Sequence, residues 1–224
     1  MTNPSQLLAH TPIFEKFPPG VRKELVNRAV VRSLDTDEYL CHQGDQWKYV
    51  IFVLEGKLQW TILSISGREQ VLFTVDTNDV FWGHSMFDNQ PMPASLSAIK
   101  PTKIMRWHSD QIVPLLHRYP EALWELAIMF TGTMRKARNI IYGLAFQPVA
   151  ARLAMLLLER FSDAEDSSVE RDLTLNAIAA RVASSPEVVC RILQHFQSTG
   201  VLSVTRATIT LFDKEALERI VENK

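Results

Sequence analysis

The chain has 224 residues, 46% of them hydrophobic, which suits one large domain or two smaller ones with a proper buried core. Its 24 basic and 25 acidic side chains give a formal net charge of -1, which argues against a strongly basic nucleic-acid coat but leaves room for a small basic contact face. Two distant cysteines, Cys41 and Cys190, offer no CxxC spacing, so no zinc site, cysteine-held cluster or disulfide is expected. The start "MTNPSQLLAHTPIF" lacks the basic and apolar regions of a signal peptide, and no uncharged apolar run reaches the roughly 18 residues of a membrane span. The expectation is a cytoplasmic protein without membrane contact.

Residues from about 30 to 107 read as short strands. "YVIFVLEGKLQWTILSISGREQVLFTV" is rich in β-branched and aromatic residues, and Gly44, Gly56, Gly67 and Gly83 punctuate this region at near-regular intervals. That spacing predicts an antiparallel barrel or jelly roll. From Ser109 to Phe161 strand signals stop. Leu123, Leu126, Phe130, Met134, Ala137, Ile141 and Leu144 then step by threes and fours, as one stripe of a long helix does. Pro148 predicts a break, with one helix ending near Phe146 and the next beginning there. "SDAEDSSVE" reads as a polar loop. "LNAIAARV" and "PEVVCRILQHFQS" follow as two short helices joined by "ASS", with Gly200 stopping the second. "VLSVTRATITLF" reads as two short strands turning near Arg206. No nucleophile elbow, HExxH, phosphate loop or acid–base pair is present, so no enzymatic activity is expected.

This order of elements, with its local residues, resembles the CRP/FNR family of bacterial transcription regulators. "LLAHTPIFEKF" resembles the family's N-terminal helix. Gly44, Asp45, Phe52, Val53 and Gly56 carry a likeness to its barrel segment, and "GREQVLFTVDTNDVFWG" to the stretch leading into its next turn. Asp37 and Asn78 stand where the family has glycine, and both residue types tolerate positive φ. "GLAFQPVAARLAMLLL", including Arg152, resembles its hinge. The resemblance implies an α+β architecture. Residues 1–108 would form an effector-sensing β jelly-roll like a cyclic-nucleotide-binding domain, with a short N-terminal helix. Residues 109–146 would be the dimerisation helix and hinge, and 147–224 a winged helix–turn–helix. It also implies a homodimer on a near-palindromic double-stranded DNA site, with RNA polymerase as protein partner. The dimer interface would run along Leu126, Phe130, Met134, Ala137 and Ile141. The competing reading is that this stripe packs on its own barrel.

In a helix–turn–helix the second helix enters the major groove with its N-terminal residues on base edges. Here Pro186 suits a first turn and Ser184 or Ser185 can cap it. Val189, Ile192, Leu193 and Phe196 would face the core, and Glu187, Cys190, Arg191 and Gln194 would face outward. Arginine suits guanine O6 and N7, and glutamate accepts from cytosine N4. Glu187 and Arg191, one turn apart, read from spacing alone as an exposed ion pair. The resemblance makes them base readers, with Cys190 where the family carries Ser or Gly. Cys190 is expected to be a half-buried thiol rather than a redox group. Ala183 occupies the usual turn glycine, which implies modest strain. Ser185, Thr205 and Arg206 are the candidate phosphate contacts, and Arg181 and His195 are expected at the surface.

The cyclic-nucleotide-binding members of the family hold the ribose and phosphate with a Gly-Glu pair and a later arginine. Here the pair is Gly83-His84, and Met92 or Pro93 falls at the arginine position. Tight cAMP binding is therefore not expected. No cofactor is expected, although a haem-binding branch with His and Cys ligands leaves haem at His84 as an alternative. An effector-independent regulator is another. The expected effector is a small, mainly apolar or aromatic molecule between barrel and helix, near Trp60, Gly83, His84, Ser85, Ser95, Met134 and Arg138. The competing reading of the tryptophans is core packing.

Overall fold

The structure is a computed structural model and describes residues 4–65, 67–162 and 167–222. Three helices come first, α1 (Pro4–Ala9), α2 (Pro12–Glu15) and α3 (Pro19–Arg28). Each begins at a proline, whose fixed φ suits a first turn and whose missing N–H is not needed there. The single N-terminal helix expected over "LLAHTPIFEKF" is thus broken in two at Pro12, and α3 follows from Pro19.

The strands follow in order: β1 (Val30–Leu34), β2 (Tyr39–Cys41), β3 (Tyr49–Glu55), β4 (Lys57–Leu63), β5 (Glu69–Asp76), β6 (Val80–Trp82), then helix α4 (Ser85–Asp88), β7 (Ser95–Ala98) and β8 (Thr102–His108). They form two four-stranded sheets ordered β1-β8-β3-β6 and β2-β7-β4-β5, the expected jelly roll. The apolar run of β3 serves two cores, because alternate strand residues point to opposite faces. Ile51 and Val53 join Leu58, Trp60, Phe81 and Leu96 inside the barrel. Val50 and Phe52 join Trp82 and Trp107 beneath the helices. Asp37 (φ 66) and Asn78 (φ 72) take the positive-φ turns that their residue types allow. Gly56 takes φ 102 and admits no Cβ, which would stand 2.6 Å from the Thr102 Cα.

α5 (Ser109–Arg118) starts with a capping box, the His108 side chain accepting from the first turn while Gln111 accepts from the His108 N–H. α6 (Pro120–Phe146) is the long helix, and α7 (Val149–Ser162) begins past Pro148 as the sequence predicts. Then come β9 (Ser168–Glu170), α8 (Leu175–Arg181), α9 (Pro186–Ser198), β10 (Leu202–Val204), β11 (Thr208–Leu211) and α10 (Lys214–Glu222). β9 overturns part of the expected loop over "SDAEDSSVE", since Val169 pairs opposite Ile209 and makes the wing three-stranded, β10-β11-β9. Residues 163–166 of that stretch lie outside the described residues.

The chain divides into two compact units, Met1–Ile65 with Val71–Lys136, and Ser66–Gln70 with Ala137–Lys224. The division falls inside α6, while residue 146 marks the end of that helix. The second unit has its own core, in which Leu153 and Leu157 of α7 meet Ile178, Val189, Leu193, Phe196 and Leu217. Among the described residues no helix is long and apolar enough to cross a membrane.

Candidate nucleic-acid interface and effector cavity

α8 and α9 form the helix–turn–helix. Thr174 caps α8 by accepting from the Ala177 N–H at 3.1 Å. Between the helices Ala183 sits at φ 49, a left-handed conformation that favours glycine, which places the expected strain. Ser185 then caps α9, its hydroxyl accepting from the Val188 N–H at 3.4 Å, and Pro186 opens the helix. Val189, Leu193 and Phe196 are buried and Ile192 is half-buried. Glu187, Arg191 and Gln194 are exposed, and Cys190 is half-exposed. The α9 faces are those the sequence predicts.

Glu187 and Arg191 do not form an ion pair. The Ser185 hydroxyl and Glu187's own backbone N–H hold its carboxylate below the usual range. Among the described residues Arg191 has neither an ion pair nor a side-chain hydrogen bond, so its five N–H donors are available for a partner outside the chain.

At the wing, the Thr205 hydroxyl closes the turn, accepting from the N–H groups of Ala207 (3.2 Å) and Thr208 (2.9 Å). Arg171 donates to the Thr205 carbonyl at 3.0 Å. These bonds hold Arg206, exposed, at the tip. Arg181 folds back to donate to the Ala177 carbonyl at 3.0 Å, and burial lowers its pKa, so it is less exposed than the sequence suggests. His195 is exposed at the far end of α9.

The effector candidates fall into three groups. Trp60 and His84 stack at 4.8 Å and 20°. Gly83 beside them carries no side chain for a reason visible in the packing: a Cβ would stand 2.7 Å from the Trp47 carbonyl oxygen. Ser85 and Ser95 are buried and hold loops, their hydroxyls accepting from the Trp47 N–H (3.3 Å) and the Gln43 N–H (2.9 Å). Met134 is 73% exposed. Arg138, in the second unit, bonds Asn139 at 3.1 Å and lies over the Tyr142 ring.

A cavity of about 510 Å³ opens in the first unit beside His84. Its apolar walls come from Phe73, Phe81, Trp82, Met129 and Phe130, with Asp79 and Lys136 among its charged residues. Trp60 Nε1, Trp82 Nε1 and His84 Nδ1 are buried without a hydrogen-bond partner. Burial lowers the His84 pKa, so its ring is neutral near pH 7. Met129 and Phe73 escaped the sequence reading. Their signal was present for Met129, which stands three residues beyond Leu126 on α6.

Residues 31–119 match the cyclic nucleotide-binding domain and residues 151–220 the Crp-like helix-turn-helix domain. The chain belongs to the CRP/FNR family of transcription regulators. This CRP/FNR regulator is 25% identical over 219 residues to a CRP-like cAMP-activated global transcriptional regulator of Mycobacterium tuberculosis, covering 96% of this chain and 98% of that one. It is 24% identical over 179 residues to the cyclic AMP receptor protein of Thermus thermophilus, covering 80% and 82%. Its fold matches a CRP/FNR-family regulator from Eubacterium rectale with a TM-score of 0.80 at 20% identity, over 95% of this chain and 98% of that one. FixK2 from Bradyrhizobium japonicum matches with a TM-score of 0.74 at 22% identity, over 86% and 96%.

In this CRP/FNR regulator the α6 stripe changes its surroundings along its length. Leu126 is 2% exposed and packs with Leu116, Ala122 and Trp107 of its own unit. Phe130 meets Phe87 edge-on at 5.4 Å. Leu126 therefore serves the core of its own unit, and Phe130 is half-buried against it. Met134, Ala137 and Ile141 remain exposed, and Trp124 (69%) and Ile128 (52%) join them as exposed apolar residues of α6.

Proposed function

We propose that this regulator works as a homodimer that reads a near-palindromic duplex through α9 and is gated by a small-molecule effector other than cAMP. The observation that carries the DNA-reading part is a capped helix that presents Glu187, Cys190 and Arg191 outward, with Arg191 unpaired. Arg206 on the wing supplies a backbone contact. Two such heads bound one helical turn apart, roughly 34 Å, would match a near-palindrome. Exposed Met134, Ala137 and Ile141 support pairing of α6 with a second copy, because a helix that leaves apolar residues uncovered has surface still to bury. RNA polymerase is the protein partner that this role calls for, and nothing in it requires catalysis.

The effector reading rests on the cavity beside His84. Its aromatic walls suit a small aromatic molecule, and the polar groups beside them, Asn78, Asp79, Glu125 and Lys136 among them, would anchor polar substituents on it. A nucleotide phosphate needs a cation with paired donors. Met92, the alternative to Pro93 at the family's arginine position, is buried in the barrel core and supplies none. His84 replaces the acidic partner of the ribose. Haem is less well supported, because Cys41 packs in the barrel core and does not line the cavity beside His84.

Selection of duplexes from a random library by the purified protein, followed by footprinting, tests the reading. A recovered near-palindrome protected on two adjacent major grooves supports it. Recovery of no common sequence sinks it.

A further inference from the structure

Arg152, in the first turn of α7, stands where two helix ends converge. The last carbonyls of a helix have no partner within it, and they carry the negative end of its dipole. From the end of α6, Arg152 Nη1 donates to the Gly143 carbonyl at 3.3 Å and the Gln147 carbonyl at 2.8 Å. From the end of α8, Nε donates to the Val182 carbonyl at 2.9 Å and Nη2 to the Ala183 carbonyl at 3.3 Å. All four acceptors are backbone oxygens of the second unit, and among the described residues no carboxylate pairs with this guanidinium. Lysine has three donors on a flexible stem and cannot reproduce this planar fork.

One acceptor is the strained residue itself. Ala183, at φ 49, is two residues before the Ser185 cap of α9. A non-glycine residue persists in this conformation only where its surroundings hold it. On the α6 side a Cβ on Gly143 would meet Arg152 Cδ at 3.6 Å, an ordinary van der Waals contact, and the tip of the Gln147 side chain at 3.2 Å.

We propose that Arg152 is a positioning residue for base reading. It holds the α8–α9 turn in its left-handed form and ties that turn to the end of α6, and so sets the direction in which α9 presents Arg191. This rests on the DNA-reading role proposed above. Because the grip is on backbone atoms, it fixes geometry without depending on an acidic partner.

The test measures affinity for the selected duplex and for random duplex of equal length, with far-UV circular dichroism as the check of fold. Arg152→Lys is expected to lower the ratio of the two affinities about ten-fold, leaving random-DNA affinity within about two-fold. Ala183→Gly makes the turn accessible without the grip, so it should restore most of the ratio in the Arg152→Lys background while changing little by itself. A folded Arg152→Lys protein with an unchanged ratio overturns the proposal, as does a double variant that loses as much as the single. If Arg152→Lys fails to fold, Arg152→Gln, which cannot span all four carbonyls, is the second variant, and an unchanged ratio there also overturns it. A wild-type protein without discrimination removes the DNA-reading role instead, and this proposal with it.

Discussion

Glu187 and Arg191 share the outward face of α9 one turn apart and make no ion pair with each other. Glu187 is held by the Ser185 hydroxyl and its own N–H, whereas among the described residues Arg191 has no partner. A pair that served stability would have closed on itself. Arg191→Ala is therefore expected to leave unfolding within about 0.5 kcal/mol of wild type, as for other surface changes. It should cost about 1–3 kcal/mol on the specific duplex and much less on random DNA. Fluorescence anisotropy with both duplexes checks this, and equal losses on the two would remove the base-reading role. Glu187, held below its ordinary value of 4.5, stays ionised as the pH falls to that value, so its contribution persists there and is lost only below it.

The left-handed Ala183 gives a stability prediction. The conformation costs a non-glycine residue about 1–2 kcal/mol, and glycine gives back about 0.5–1 kcal/mol in unfolded-state entropy. Ala183→Gly should then stabilise the second unit by roughly 0.5–1 kcal/mol. Urea unfolding monitored by circular dichroism measures it, and a destabilised variant would contradict it.

The divided surroundings of α6 predict two separable phenotypes. Leu126→Ala opens a cavity in the first unit's core and should cost about 2–5 kcal/mol in stability. Ile141→Glu, 66% exposed before substitution, should leave the protomer folded and shift sedimentation toward the monomer. Ile141→Glu sedimenting as a dimer would remove that face from the interface.

His84 carries a pH dependence. Burial lowers its pKa in the folded chain, with Asp88 opposing, so the unfolded chain binds the proton first. Stability should be fully present above the ordinary histidine value of 6.5 and fall as the pH drops below it toward the lowered folded value. His84→Gln should flatten that part of the thermal stability–pH curve. An unchanged curve would contradict the neutral, buried ring.

Much of this was legible in the sequence, for physical reasons. Pro186 and Ser185 mark a helix start by local chemistry, and the burial of Val189, Leu193 and Phe196 follows from a 3.6-residue period. Asp37 and Asn78 reveal turn backbones through the residue types that tolerate positive φ. What stayed hidden depends on distant partners. β9 is three residues long with one apolar member, Val169, and exists through its pairing with β11. Leu126 and Ile141 look alike in the stripe, because the sequence carries the helical period but not what covers each turn. Thr205 reads as a phosphate contact, and its hydroxyl also closes its own turn by accepting two N–H groups, a role that only the fold reveals. Gly83 reads as part of a ligand pocket, yet its lack of a Cβ answers to the backbone at Trp47.

The most direct measurement of the central claim is the affinity of wild-type protein for its selected duplex and for random duplex, at one salt concentration, with and without cAMP. The expected result is a preference of at least about a thousand-fold for the selected site, as for specific readers generally, that cAMP does not change. Equal affinity for the two duplexes, or a preference that appears only when cAMP is added, would contradict it.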